Sequence, residues 1–142
     1  MTAEDRVEIP AEALDFLLAT TTPGVLATVG RSGGPVTSAV WYSAEPDAIV
    51  VSTPGDGTKA ARVRGDPRVS FIVDSRERPY RGVAVEGTAR VIDDPDLSRW
   101  TAIARRYLGD PLPVEFLERA RSRPRALIAI TPLRIRTWNL AQ

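Results

Sequence analysis

Short apolar runs, each closed within a few residues by a Gly, Pro or Asp turn, recur along this chain and leave few architectures open. Gly24 to Val29 is followed by the turn Arg31-Ser32-Gly33-Gly34 and then by Pro35 to Ala44. Glu45-Pro46-Asp47 leads into Ala48 to Thr53. Further strands are predicted where Val69, Phe71 and Val73 alternate, over Tyr80 to Ile92, and over Ala126 to Trp138. Pro ends strands because it lacks a donor, and Gly because it adds backbone freedom. Parallel strands need crossovers of a dozen or more residues, so turns this short predict antiparallel pairing. A chain of 142 residues fits one domain, residues 1–142, with a real core. The expected class is mainly β: six antiparallel strands closing into a small barrel, with three to four short helices.

The helices are predicted from caps and periodicity. Pro10 opens a helix from Ala11 to Thr20, with Leu14, Leu17 and Leu18 on one face. Thr58 to Gly65 is a second, and Asp66-Pro67 forbids its restart. Asp94 is expected as N-cap of a third, with Pro95 in its first turn and Gly109 at its end. Leu97, Trp100, Ala104, Tyr107 and Leu108 hold its helical spacing and read as core. Pro113 to Ser122 is a fourth, followed by basic residues that suit a helix C-terminus. Gly87 within a long strand predicts a bulge or a close backbone approach, and Pro132 an edge or a bulge. In the second strand Val36, Ser38, Val40 and Tyr42 alternate with Thr37, Ala39, Trp41 and Ser43. The second set is small and polar up to Trp41, which fits either a solvent face or a surface for a flat ligand.

Absences narrow the chemistry. A formal charge of +1 gives no reason to expect nucleic acid or an acidic membrane surface as partner. No apolar run is long enough to span a bilayer, and Met1 to Pro10 is too polar for a signal peptide, so a cytoplasmic protein is expected. The chain has no Cys and no His. That excludes a Ser-His-Asp triad, a Cys-His nucleophile and imidazole-bound zinc or haem, and no metal site is expected. An enzyme built this way leaves its chemistry to a bound organic cofactor.

Of nineteen basic residues one, Lys59, is a Lys, and it stands at the start of the second helix beside Thr58. A lone Lys in an Arg-rich chain points to a compact ammonium being wanted there. A helix start with free amides, a hydroxyl and an ammonium suits a phosphate. A solvated surface Lys is the other reading, and local residues favour it. Arg76, Arg78 and Arg81, in the loop Asp74 to Arg81, are either solvated or the rim of a site for an anion.

The segments GVLATV, PVTSAVWY, IVVST, TKAARVRGDPRVSFIVD and YRGVAVEGTARV, in this order and spacing, resemble the pyridoxamine 5′-phosphate oxidase-like split β-barrel superfamily. The likeness spans about residues 11 to 138 and is most specific at Thr58–Arg62 and Asp66–Ser70. Within the superfamily the chain is most similar to the actinobacterial flavin/deazaflavin oxidoreductases that use coenzyme F420. A composition rich in Ala, Arg and Pro agrees with such a source.

The resemblance implies a Greek-key-like split barrel of the FMN-binding type, dimerised so that each cofactor lies between two subunits. It implies that Lys59, Thr58 and Thr53 hold the cofactor's phosphate region. Thr37, Ser38, Ala39, Val40 and Trp41, with Val51 and Ser52, would line the tricyclic ring. Arg78, Tyr80 and Trp138 of the other subunit would close the site. The implied reaction is hydride transfer from reduced F420 to a small electron-poor organic substrate, with Tyr42 or Tyr80 as candidate proton donors. The alternatives are an FMN-binding flavoprotein of the oxidase kind and a cofactor carrier without turnover. The oxidases carry an Arg before the Lys, where Asp56 and Gly57 stand in this chain.

Overall fold

A computed structural model describes residues 5–141; Met1 to Glu4, part of the polar start considered above, lie outside the described residues, as does Gln142. Helix α1 (Ala11–Ala19) precedes β1 (Gly24–Val29), β2 (Pro35–Val40), β3 (Tyr42–Glu45) and β4 (Ala48–Pro54). Then come α2 (Thr58–Gly65), β5 (Arg68–Asp74), β6 (Gly82–Asp93), α3 (Ser98–Leu108), α4 (Val114–Arg121) and β7 (Arg125–Trp138). All pairings are antiparallel, and the strands form one sheet in the order β2-β1-β5-β6-β7-β4-β3. The mainly β split-barrel class stands, with seven strands in place of six.

The seventh strand arises because the run from Pro35 to Ala44 is divided at Trp41. β2 pairs with β1 at one end of the sheet, and β3 pairs with β4 at the other. Two strands one residue apart in sequence can hold opposite ends of a sheet order only if the sheet curls round to meet itself. Alternation alone does not show this break, because the period of two runs through it. Val40, Tyr42 and Ala44 all enter the main core. Trp41 turns outward and stacks on Tyr107 at 4.9 Å, with Phe116 6.1 Å away.

The core is the interior of this curl, where Leu26, Ile49, Val51, Phe71, Val73, Val83, Val85 and Ile128 meet, with α1 contributing Ala13 and Leu17. Gly87 and Pro132 lie opposite each other at a β-bulge that leaves Leu133 without a partner. A Cβ on Gly87 would strike the Thr131 carbonyl oxygen, so the close approach requires Gly. β7 lies between β6 and β4, so Pro132 is tolerated by its bulge and not by an edge position. The start of α3 differs from expectation. Leu97, in the left-handed region at φ 60°, precedes a helix that begins at Ser98. Asp94 nevertheless caps it from a distance, accepting from the amides of Arg99 (3.3 Å) and Trp100 (2.9 Å). No helix among the described residues is long and apolar enough to cross a membrane.

Arg106 on α3 ties the closure together. Its guanidinium donates to the carbonyls of Tyr42 (2.9 Å), Leu17 (3.1 Å) and Thr20 (2.8 Å), and lies 4.9 Å over the Tyr42 ring. Leu17 and Thr20 are at the end of α1, where carbonyls lack intrahelical partners. The Tyr42 hydroxyl donates to the same Leu17 oxygen at 2.7 Å. Replacing Arg106→Ala is expected to cost roughly 3 kcal/mol, since charge-assisted bonds to three carbonyls are lost together. Urea unfolding checks this, with a lower midpoint at unchanged slope. Burial pushes the Tyr42 phenol up to about 12 from its ordinary 10. Its contribution to stability is thus complete below about pH 10 and is lost as the pH rises toward 12. Unfolding followed against pH should steepen in that window, and Tyr42→Phe should flatten it.

Candidate functional site

β4 delivers the chain to the start of α2 through a turn held from several sides. Ile49 and Val51 point into the core, as does Thr53 at the end of the same row, while Ser52 faces the other way. The turn Pro54-Gly55-Asp56-Gly57 is closed by the Gly57 amide donating to the Pro54 carbonyl at 3.1 Å. The Gly55 amide donates to the Pro124 carbonyl at 2.8 Å, and Arg64 donates to the Gly55 carbonyl at 2.9 Å. Arg123 donates twice to one carboxylate oxygen of Asp56, at 3.1 and 2.9 Å.

Gly57 then stands in the N-cap position in extended conformation, and no side chain caps α2. Ser, Thr, Asp and Asn are the usual caps, because a side-chain oxygen satisfies the free amides of the first turn. Here those amides and the positive end of the helix are left open. The Lys59 ammonium makes no hydrogen bond or ion pair among the described residues. Ala60 and Val63 are buried and anchor the helix, so the cradle is held rigidly. A Cβ at Gly57 would lie 3.2 Å from the Pro54 oxygen and intrude on this space. Beside it, Arg125 donates to the Ser52 hydroxyl at 2.9 Å while its Nε is buried without a partner. Burial lowers the Arg125 pKa, against the raising effect of nearby Asp94 and with a further lowering by the charge on Arg123. Open amides, a free ammonium and crowded guanidinium groups together fit a phosphate group.

Next to this start, the turn at residues 30–34 and α2 enclose a cleft of about 920 Å³. Thr58, Arg62, Arg31 and Arg68 line it. Arg62 is steadied by donation from its Nε to the Thr28 hydroxyl at 2.8 Å, and Arg68 is paired with Asp66 at 2.7 Å. Arg68 holds the Asp66 carboxyl down at about 2. Arg31 is exposed and makes no ion pair among the described residues. Arg62 was not expected as a site residue, though its spacing four residues after Thr58 placed it on that face. Arg123 and Arg125 carried no local signal, because only the fold brings the end of α4 to the start of α2.

The other predicted residues divide. Thr37, Ser38 and Ala39 lie on β2, which bonds to β1 alone, so the strand's outer edge keeps unpaired backbone groups. Val40 and Val51 send their side chains into the core, so each offers only backbone. The Trp41 ring is covered by Tyr107 and Phe116, which leaves its backbone on the β2 side. Tyr42 is withdrawn as a proton donor: it is fully buried, and its hydroxyl is already given to Leu17. Tyr80 is exposed, and its carbonyl accepts from Asn139. Arg78 lines a separate cavity of about 880 Å³ between α1 and the loop 75–81, where Arg81 lies 5.5 Å over the Phe16 ring. Trp138 covers Gly82 at the end of β7. Arg78 and Thr58 line different cavities.

The profile of the pyridoxamine 5′-phosphate oxidase family matches residues 9–139. A conserved hypothetical protein of Mycobacterium tuberculosis, Rv2991, superposes with a TM-score of 0.77 at 31% identity, over 99% of this chain and 90% of its own. An F420 reductase superposes with a TM-score of 0.75 at 25% identity, over 90% and 98%. An FAD-binding protein from Mesorhizobium loti shares the fold, with a TM-score of 0.62 at 19% identity over 92% and 93%. No match was found among curated proteins. If the cradle is an anion site, Lys59→Ala should weaken pyrophosphate binding about tenfold in calorimetry. Tyr42→Phe should leave that binding unchanged while lowering stability by about 1 kcal/mol.

Proposed function

The chain belongs to the pyridoxamine 5′-phosphate oxidase family, and from that premise we propose that it is an F420-dependent reductase acting on a small electron-poor organic substrate. The observation that carries this reading is the uncapped start of α2, with Lys59 unpaired beside it, in a chain without His or Cys. The likeness to an F420 reductase supports the choice of cofactor. Bound in its reduced form, the deazaflavin supplies a hydride. The chain's own part is to hold and orient. Lys59, Thr58 and the first-turn amides take the phosphate, and the edge of β2 from Thr37 to Trp41 faces the ring. Positioning of this kind lowers a hydride-transfer barrier without an acid or base on the protein. The proton comes from solvent or from Tyr80 of the second subunit, a side chain that is exposed in the single chain.

The proposal includes a homodimer in the cytoplasm. Thr58 lines one cavity and Arg78 another, and a second copy would bring the two together. Sedimentation should give a dimer at micromolar concentration, and a monomer would remove the closing role of Arg78, Tyr80 and Trp138.

An FMN-binding oxidase-like enzyme is the second reading, and the turn before α2 bears on it. Asp56 places a carboxylate where the oxidases carry a cation, which disfavours the dianionic phosphate of FMN more than the monoanionic diester of F420. Titrating the apo-protein with F420 and with FMN, read by Trp fluorescence, tests the choice. F420 should bind the more tightly. The reverse order would assign the protein to the flavin side, and failure of both would return Lys59 to an ordinary surface residue.

A further inference from the structure

We propose that the cavity between α1 and the loop 75–81 binds a small zwitterion, an amino acid or short peptide whose carboxylate is held by Arg81 and whose ammonium faces Glu12 and Asp15. The inference goes beyond the cofactor reading and needs no second copy, since both walls belong to one chain. The cavity measures about 880 Å³, within the range of small-ligand sites. Its walls carry opposite charge. Glu12 and Asp15, neighbours on one side of α1, line the first. Arg76, Arg78 and Arg81 line the second, with Glu77 among them. Three Arg less one Glu leave two positive charges against the two carboxylates of α1, so the cavity is neutral as a whole. Yet no ion pair crosses it. Among the described residues Glu12 and Asp15 make no ion pair and no side-chain hydrogen bond, and Arg78 and Arg81 have no acidic partner.

The frame keeps these charges apart. α1 is anchored by the fully buried Ala13 and Leu17. The loop is closed at its base, where the Ser75 amide donates to the Arg81 carbonyl at 2.8 Å and the Arg81 amide to the Ser75 hydroxyl at 2.9 Å. Charges held in this way are in place before a ligand arrives, so binding costs little reorganisation. A lone anion meets the carboxylates of α1, and a lone cation meets the arginines. A molecule with both charges gains at both walls. Arg81 is the group best prepared for this. It is partly buried, with its guanidinium 5.5 Å over the Phe16 ring. That contact uses none of its N–H donors, and none of them has an acceptor among the described residues. A planar fork steadied by a ring and free to donate suits a carboxylate, which takes two parallel bonds from it.

Triglycine and its two capped forms, N-acetyl-triglycine and triglycine amide, separate the two charges when each is titrated into the whole protein by calorimetry at low salt. Wild type should bind triglycine about tenfold more tightly than either capped form. Arg81→Gln should lower triglycine affinity about tenfold and bring it level with the amide, leaving the acetylated form weaker. Glu12→Gln combined with Asp15→Asn should bring triglycine level with the acetylated form instead. Arg81→Lys keeps the charge and the ring contact but lacks the fork. It should lose several-fold in affinity, and it decides the role of Arg81 if thermal melting shows Arg81→Gln to be unfolded. Equal binding of the three forms by wild type, or no binding of triglycine, would overturn the proposal. An equal loss for all three forms in both sets of variants would overturn it too, because the charges would then not be read by the site.

Discussion

The closure of the sheet depends on one guanidinium. Arg106 gathers the carbonyls at the end of α1 and the carbonyl of Tyr42 onto a single planar group. Tyr42 is the first residue after the crossover at Trp41, so this contact fixes where one end of the sheet turns into the other. Three carbonyls converging on one point would repel one another without a cation, and an uncharged side chain could not satisfy all three. Tyr42 and Tyr107 pack around the guanidinium at 4.9 and 5.5 Å, which adds cation–π contact to its three partly buried hydrogen bonds.

That closure also sets what β2 can do. Because the sheet order ends at β2 on one side and at β3 on the other, the stretch from Thr37 to Val40 keeps an unpaired backbone edge. α2 covers the inside of the curl through Ala60 and Val63, which leaves its open N-terminus at the rim. The rigid parts of the barrel thus place a backbone edge and an uncapped helix start on the outside. The side chains that pack the core and those that face a ligand come from the same short strands. Val51 and Thr53 face inward, and Ser52 between them faces Arg125.

Much of this was legible in the residues. Turn chemistry between short apolar runs fixed the antiparallel class, and Thr58 to Gly65 was readable as a helix from its flanking Gly and Asp-Pro. Gly87 signalled a bulge or a close backbone approach and Pro132 an edge or a bulge, and the fold places them opposite each other at one bulge. The division at Trp41 was not legible, because Val40 and Tyr42 keep the alternation of a continuous strand. Leu97 was not legible as the residue before α3, since nothing in a Leu side chain signals a left-handed backbone.

The candidate site divides along the same line. Lys59 and Thr58 are neighbours in sequence, so local helix physics raised them as a possible anion site while favouring a solvated Lys, and the family resemblance made them candidate cofactor residues. Arg123 and Arg125 meet them across a long separation, and a long separation leaves no periodic trace. Tyr42 shows the converse: its residue type invited a proton-transfer role, and burial with a bond to Leu17 removed it. The sequence by itself determined the element types, the absence of imidazole and thiol chemistry, and a helix start without a capping side chain. The tertiary structure alone decided which arginines surround that start and which strand edges stay open. Local conformation follows from neighbouring residues, whereas convergence of charges depends on how the sheet curls.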